Sequence, residues 1–195
     1  SSSGATSGAD FFDPGGGNAT LDGLGGSDTV IFFAPRSAAT IYTIEGLTKI
    51  YFSTTSASRD HYGDRYTLRN VETVIFSDDQ SVSLETTLPA NLISNSSSGA
   101  TSGADVFDPG GGSKTLDGLG GNDTAIFFAP RSAATITTLA GITKIVFGYT
   151  SASGDHSGDT YTLTNIETVT FSDQSVSLET TLPANLISNS SSGAT

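Results

Sequence analysis

The chain has 195 residues, a formal net charge of −12, 14% charged residues, 23 glycines and no cysteine. Disulfides are therefore excluded. The acidic balance argues against nucleic acid, whose phosphates need Lys and Arg, and against electrostatic attachment to anionic lipid. No run approaches the roughly 18 apolar residues of a membrane span, so direct membrane insertion is not expected. An acidic surface suits divalent cations, or simply solubility.

Residues 1–78 recur as 96–173 at an offset of 95, Asp79 has no counterpart, and 80–101 recur unchanged as 174–195. About 18 of roughly 94 aligned pairs differ. A repeat of this fidelity sets the domain reading: a module over 1–95, a second over 96–189, and the start of a third at 190–195. Both ends fall in the same phase of the repeat, so an excerpt of a longer array is expected. Modules of this size bury a modest fraction of their surface. Small extracellular modules add disulfides or metal to compensate, and without cysteine metal is the leading candidate. Enzymes rarely need near-identical tandem copies of themselves; fibres, adhesins and surface layers do.

In chain order, residues 5–33 are rich in Gly and Asp, with an apolar residue every ninth position: Phe12, Leu21 and Val30, then Phe107, Leu116 and Ala125 in the second copy. A period of nine fits a parallel coil of very short strands joined by Gly-rich turns. Residues 31–84 read as antiparallel β. Thr40–Ile44, Lys49–Ser53 and Tyr66–Leu68 alternate, and Val71–Phe76 is followed by a turn and a return over Ser81–Leu84. No helix is expected. Residues 85–99 connect to the next copy. Leu88, Leu92 and Ile93 predict a partly docked linker rather than a free spacer. The fold class is therefore all-β: a short parallel β-roll followed by an antiparallel meander or sandwich, repeated in tandem.

Written in nines, Ala5–Asp13, Pro14–Asp22 and Gly23–Ile31 keep Gly at the fourth position (Gly8, Gly17, Gly26) and Asp at the sixth in the first and third turns (Asp10, Asp28). Glycines free to adopt positive φ can aim several carbonyls at one point, and calcium takes six to eight oxygens in flexible geometry. The pattern resembles the G-G-x-G-x-D-x-U-x repeat of RTX (repeats-in-toxin) calcium-binding proteins. The flanks match too. Asp28-Thr-Val-Ile-Phe32 leads into Ala34-Pro-Arg-Ser37, and the module closes on Asn70-Val-Glu-Thr-Val-Ile-Phe-Ser-Asp78. Leu24 and Leu119 stand where the family has Gly, and Ala5-Thr6 replaces the Gly pair of the first turn.

The resemblance implies calcium as cofactor. Two nonapeptides make one coil in such rolls, so Asp10 and Asp28, 18 residues apart, are expected to stack on one edge and share an ion. Asp105 and Asp123 repeat this. Carbonyls of Gly8, Gly23 and Gly26, and of Gly103, Gly118 and Gly121, complete the implied set, with Asp13, Asp22, Asp108 and Asp117 as further candidates or as turn formers. On the opposite edge Ala19 and Lys114 replace Asp, and a weak or absent site is expected. The resemblance also implies type I export from a Gram-negative bacterium or cyanobacterium, hence an extracellular or cell-surface location.

Arg36, Arg131, Glu72 and Glu167 recur in both copies and are read as ion pairs or backbone clamps. Asp60-His-Tyr-Gly-Asp64 and Asp155-His-Ser-Gly-Asp159 read as exposed polar hairpins, with a metal loop as the alternative. Lys49 and Lys144 are expected on a solvated strand face. No catalytic residues are assigned: cysteine is absent and no Ser lies in G-x-S-x-G. The expected function is a non-catalytic structural repeat of a secreted, calcium-stabilised filament, surface layer or adhesin. Other copies of itself are the expected partners. A second reading is a binding module for carbohydrate, such as cell-surface polysaccharide, through Tyr42, Tyr51, Tyr62 and Tyr66. A third is the accessory roll of a larger secreted enzyme.

Overall fold

Phe12, Leu21 and Val30 each fall on a short strand, and those three strands begin a two-sided coil. The structure, a computed structural model, describes residues 4–96 and 98–178 and divides into one unit ending at Ala90 and another beginning at Asn91. The expected third-copy start at 190–195 lies outside the described residues. In the first unit the strands are β1 (Phe11–Phe12), β2 (Ala19–Asp22), β3 (Thr29–Phe32), β4 (Ala39–Ile44), β5 (Leu47–Phe52), β6 (Arg65–Arg69), β7 (Thr73–Phe76) and β8 (Ser81–Ser83). One sheet runs β1-β3-β7-β8 and the other β2-β6-β5-β4.

The step of two nonapeptides, 18 residues, appears as the parallel pair β1–β3, with Phe11 opposite Thr29. The roll does not stop there. After the β4–β5 hairpin the chain returns and adds a second parallel layer to each sheet: Leu68 beside Leu21 and Val74 beside Val30. The all-β class with a parallel roll holds. The purely antiparallel reading of residues 31–84 is corrected, since β6 and β7 are each parallel on one side and antiparallel on the other. Register explains this. Leu68 and Val74 occupy the inward positions that Leu21 and Val30 hold in the nonapeptides, so the returning strands extend the same core.

The second unit repeats this build with β10 (Val106–Asp108), β11 (Lys114–Asp117), β12 (Thr124–Phe127), β13 (Ala134–Leu139), β14 (Ile142–Phe147), β15 (Thr160–Thr164), β16 (Thr168–Phe171) and β17 (Ser175–Ser177). It gains β9 (Leu92–Ser94), which pairs in parallel with β10 and makes that sheet five-stranded, β17-β16-β12-β10-β9. The structural division therefore precedes the repeat boundary of 95/96. The connector docks as expected. The Thr87 carbonyl lies so close to Gly46, at the β4–β5 turn, that a Cβ there would sit 2.4 Å from it. From Asn91 onward the chain belongs to the second unit. Among the described residues the only helical turns are four short 3-10 segments.

The core of the first unit is Leu21, Val30, Phe32, Ile50, Phe52, Tyr66, Leu68, Val71, Val74 and Phe76. Phe32 is its centre, with ring centroids 5.0 Å from Phe52, 4.8 Å from Tyr66 and 6.0 Å from Phe76. Phe127 holds the matching place at 5.3 Å from Phe147, 4.8 Å from Tyr161 and 6.0 Å from Phe171. Truncating a buried Phe in such a cluster costs about 3–5 kcal/mol. Phe32→Ala and Phe127→Ala should each lower stability by that amount, and by similar amounts, in urea denaturation. A large inequality would show that the two aromatic cores are not equivalent.

Candidate functional site

The candidate metal edge is built by three turns that follow one another along the roll: Thr6–Asp10, Gly23–Asp28 and Asn70–Glu72. Their acidic residues form a ladder. Asp28 Oδ1 accepts the Asp10 N–H at 2.8 Å, and Glu72 Oε2 accepts the Asp28 N–H at 2.6 Å. The Asp10 carbonyl accepts from Thr29 N–H and the Asp28 carbonyl from Thr73 N–H, which locks the same register through the backbone. The second unit repeats the ladder, with Asp105 N–H on Asp123 Oδ1 at 2.8 Å and Asp123 N–H on Glu167 Oε2 at 2.7 Å. Glu72 and Glu167 are thus backbone clamps, one of the two roles expected of them. The Arg36 N–H donates to Asp78, and its guanidinium donates to the Ala39 carbonyl at 2.6 Å and lies 5.6 Å from the Phe76 ring centroid.

Asp10 and Asp28 stack on one edge, as the RTX resemblance implies for residues 18 apart. Their carboxylates are nevertheless engaged separately. Asp10 turns back to accept the Thr6 N–H at 2.7 Å, while Asp28 reaches the Asp10 backbone. Among the described residues no group of three or more His, Asp or Glu side chains gathers closely enough to hold a metal ion. A cation on this edge would therefore draw most of its oxygens from backbone carbonyls. One observation favours such a cation. Asp28 Oδ2 and Asp123 Oδ2 are buried with no hydrogen-bond partner, and a buried carboxylate oxygen without a donor or cation is costly. Burial raises the Asp123 carboxyl above the ordinary carboxylate value. The Asp105 N–H opposes this, and the nearby charges of Glu167, Asp105 and Asp117 reinforce it.

The glycines are placed by close approach. A Cβ on Gly23 would sit 2.3 Å from Asp28 Oδ2 and 2.0 Å from the Asn70 carbonyl, and Gly118 has the same surroundings in Asp123 and Asn165. Gly26 has φ +123°, and a Cβ there would meet the Gly8 carbonyl at 2.4 Å; Gly121 does the same against Gly103. These glycines therefore let successive turns nest and seat the ladder carboxylates. Asp13, Asp22, Asp108 and Asp117 act as turn formers, each accepting the N–H two residues on. Asp22 and Asp117 also accept the side-chain amides of Asn70 and Asn165.

On the opposite edge Lys114 does more than displace a carboxylate. Its ammonium donates to the Gly111 carbonyl at 2.7 Å and the Gly112 carbonyl at 3.3 Å, an internal cation on the turn carbonyls. That turn is also held from a distance: Asp64 Oδ2 accepts the Gly17 N–H at 2.6 Å, and Asp159 accepts the Gly112 N–H at 2.7 Å. The 47-residue separation hid this contact from any local pattern.

His61 and His156 overturn the exposed-hairpin reading, since both are buried. His61 stacks on Phe52 at 4.9 Å and meets Phe32 edge-on at 5.1 Å. Its Nδ1 pairs with the Tyr66 hydroxyl at 2.8 Å, and that hydroxyl donates to the Gly15 carbonyl. Burial, reinforced by Asp64, pushes the Tyr66 phenol well above its ordinary value. Tyr66, expected as an exposed sugar platform, is therefore a core residue. Lys49 is likewise buried, where a solvated face was expected, while Lys144 is exposed.

No family model matches the chain, and no curated protein does. Among solved structures it is similar to the extracellular lipase LipA from Serratia marcescens, at 14% identity and a TM-score of 0.32. The match covers 92% of this chain and 39% of the lipase chain. At that level of likeness the lipase says nothing about this chain's chemistry. No helix among the described residues is long and apolar enough to cross a membrane.

The histidine has a consequence for stability. Burial lowers the His61 pKa from 6.5, against the opposing charges of Asp64, Asp60 and Asp13. Between the folded and unfolded values the unfolded chain binds the extra proton, so stability falls as pH drops below about 6.5. His61→Gln can still bond to the Tyr66 hydroxyl but cannot take up charge. In thermal melts from pH 7.5 to about 5, where carboxylates stay mostly ionised, the wild-type advantage over this variant should shrink with acidification. A constant gap would refute the linkage.

Proposed function

We propose that this chain is a non-catalytic structural repeat of a secreted, calcium-stabilised extracellular array: a filament, surface layer or adhesin stalk. The observation that carries this is the duplicated acidic ladder, in which Asp28 and Asp123 each keep a buried carboxylate oxygen without a hydrogen-bond donor. In a chain of net charge −12, a hard divalent cation is the natural complement to such an oxygen. Asp28 and Asp10 in the first unit, and Asp123 and Asp105 in the second, would hold it together with carbonyls of the nested glycine turns. Calcium would supply charge neutralisation and cross-link successive coils; it accepts carbonyl-rich oxygen sets of this kind.

The same unit built twice, on matching strand registers, supports an array role. Stability in such arrays is approximately a sum of units and their interfaces. Export by a type I route and a bacterial cell-surface location follow from the RTX-like pattern as parts of the same proposal. An accessory roll on a larger secreted enzyme would share this geometry, and a catalytic domain in flanking sequence would move the reading there.

Calcium should be titrated into chelated protein while thermal unfolding is followed by circular dichroism. At about 100 times Kd a ligand that binds only the folded state adds roughly 2.7 kcal/mol. For units of this size that raises Tm by about 10 °C or more. Asp28→Asn with Asp123→Asn should remove most of the rise. An unchanged melting curve on adding calcium to the unaltered chain would refute the calcium role.

A further inference from the structure

Six of the roughly 18 differences between the copies exchange a Tyr or Arg for a smaller, uncharged residue. Tyr42, Tyr51 and Tyr62 become Thr137, Val146 and Ser157, and Arg59, Arg65 and Arg69 become Gly154, Thr160 and Thr164. Four of the six fall on three adjacent strands of the first unit: Tyr42 on β4, Tyr51 on β5, and Arg65 and Arg69 on β6.

Those four share a face. Ile50, Phe52, Tyr66 and Leu68 belong to the core, so by strand alternation Tyr51, Arg65 and Arg69 point away from it. Ile41 packs against the same core, and its neighbour Tyr42 points outward. Register then gathers the side chains. Tyr51 lies opposite Thr40 on one side and Arg65 on the other, and Tyr42 falls in the next row, opposite Lys49. The Tyr42 and Tyr51 rings meet edge-on with centroids 6.0 Å apart. The Arg65 guanidinium lies 5.8 Å from the Tyr51 ring centroid, a cation held over an aromatic face. Arg65 is exposed, and both rings are part-exposed.

The fold does not require this cluster. β13, β14 and β15 keep the same antiparallel pairing, with Thr135, Val146 and Thr160 in one row and Thr137 opposite Lys144 in the next. The inward residues beside them are retained, Phe52 as Phe147 and Tyr66 as Tyr161. The two units therefore keep one sheet and one core, while the first alone carries two tyrosines and an arginine on the outer face.

Charge and shape select the ligand. In a chain of net charge −12, an exposed guanidinium between acidic surroundings and two rings is a local inversion of sign. Its planar fork matches a carboxylate. The negative face of a tyrosine ring takes the partly positive C–H groups of a pyranose. One exposed cation beside two rings fits a polysaccharide in which an acidic sugar alternates with a neutral one. A nucleic acid, charged at every residue, is repelled by the rest of the chain, and a neutral glucan leaves the guanidinium unused.

We infer that the outer face of β4, β5 and β6 in the first unit binds a sparsely carboxylated polysaccharide, with Arg65 on the carboxylate and Tyr42 and Tyr51 against sugar rings. The second unit, with Thr137, Val146 and Thr160 in their places, lacks this site. Such binding is a function beside the array role, and it rests on neither that role nor calcium.

The test uses the whole chain at fixed calcium. A fluorescent hyaluronan decasaccharide, in which glucuronate alternates with neutral N-acetylglucosamine, is titrated with the chain and followed by anisotropy. Binding should saturate at one site per chain. Tyr51→Val with Arg65→Thr installs the residues of the second unit, so it should leave thermal unfolding in place and weaken binding by at least about tenfold. The converse exchange, Thr137→Tyr with Val146→Tyr and Thr160→Arg, should raise the sites per chain from one to two. No binding by the unaltered chain overturns the inference, as does binding that survives Tyr51→Val with Arg65→Thr undiminished. Equal binding of a neutral dextran oligosaccharide also overturns it, and tighter binding of an oligothymidylate assigns the face to nucleic acid instead.

Discussion

In each unit an acidic side chain on one coil accepts the backbone N–H of the acidic residue on the coil before it. Asp28 does this for Asp10 and Glu72 does it for Asp28. Strands only two to four residues long make few ladder bonds of their own, so register must come from elsewhere. Hydrogen bonds to a charged acceptor are worth roughly 1.5–3 kcal/mol each. They also require the turns to approach within reach of one another. The glycines meet that requirement, because Gly23 and Gly26 leave room for a carboxylate and for a neighbouring carbonyl where any Cβ would collide. Nested turns and the acidic ladder are thus one device, which leaves a buried carboxylate oxygen facing no donor.

The aromatic core depends on that register. With Val30 beside Val74 and Leu21 beside Leu68, Phe32 is aligned with Phe76 and surrounded by Phe52, Tyr66 and His61. The histidine and tyrosine bring polar atoms into this cluster: the Tyr66 hydroxyl meets the Gly15 carbonyl, Asp64 and His61 Nδ1, while His61 Nε2 is buried without a hydrogen-bond partner. Asp64 in turn accepts the Gly17 N–H. The second edge of the roll is therefore held by the returning loop rather than by its own nonapeptide, and Lys114 supplies a cation of its own to that edge in the second unit.

The two units share their interior and differ at their margins. Phe32 and Phe127, Tyr66 and Tyr161, and His61 and His156 occupy the same environments. Phe11 against Val106, Phe33 against Phe128 and Ile44 against Leu139 do not, and the connector Leu92–Ser94 is a strand in one unit with no counterpart on β1 among the described residues.

The sequence by itself determined the tandem period, the all-β class and the roll with its nine-residue apolar spacing; its resemblance to RTX repeats implied the stacking of Asp10 on Asp28, and it left Arg36 and Glu72 open between ion pair and backbone clamp. These are local or strictly periodic features, and period and turn chemistry reveal them directly. Only the tertiary structure decided that β6 and β7 re-enter the roll in parallel, that His61, Tyr66 and Lys49 are buried, that Asp64 holds Gly17, and that the connector supplies a strand. Each of those depends on contacts between residues tens of positions apart. A His-Tyr-Gly-Asp loop carries no local sign of whether it is solvated or folded over an aromatic core. The direction of a returning strand is likewise set by the register of the neighbour it meets, which its own alternation does not encode.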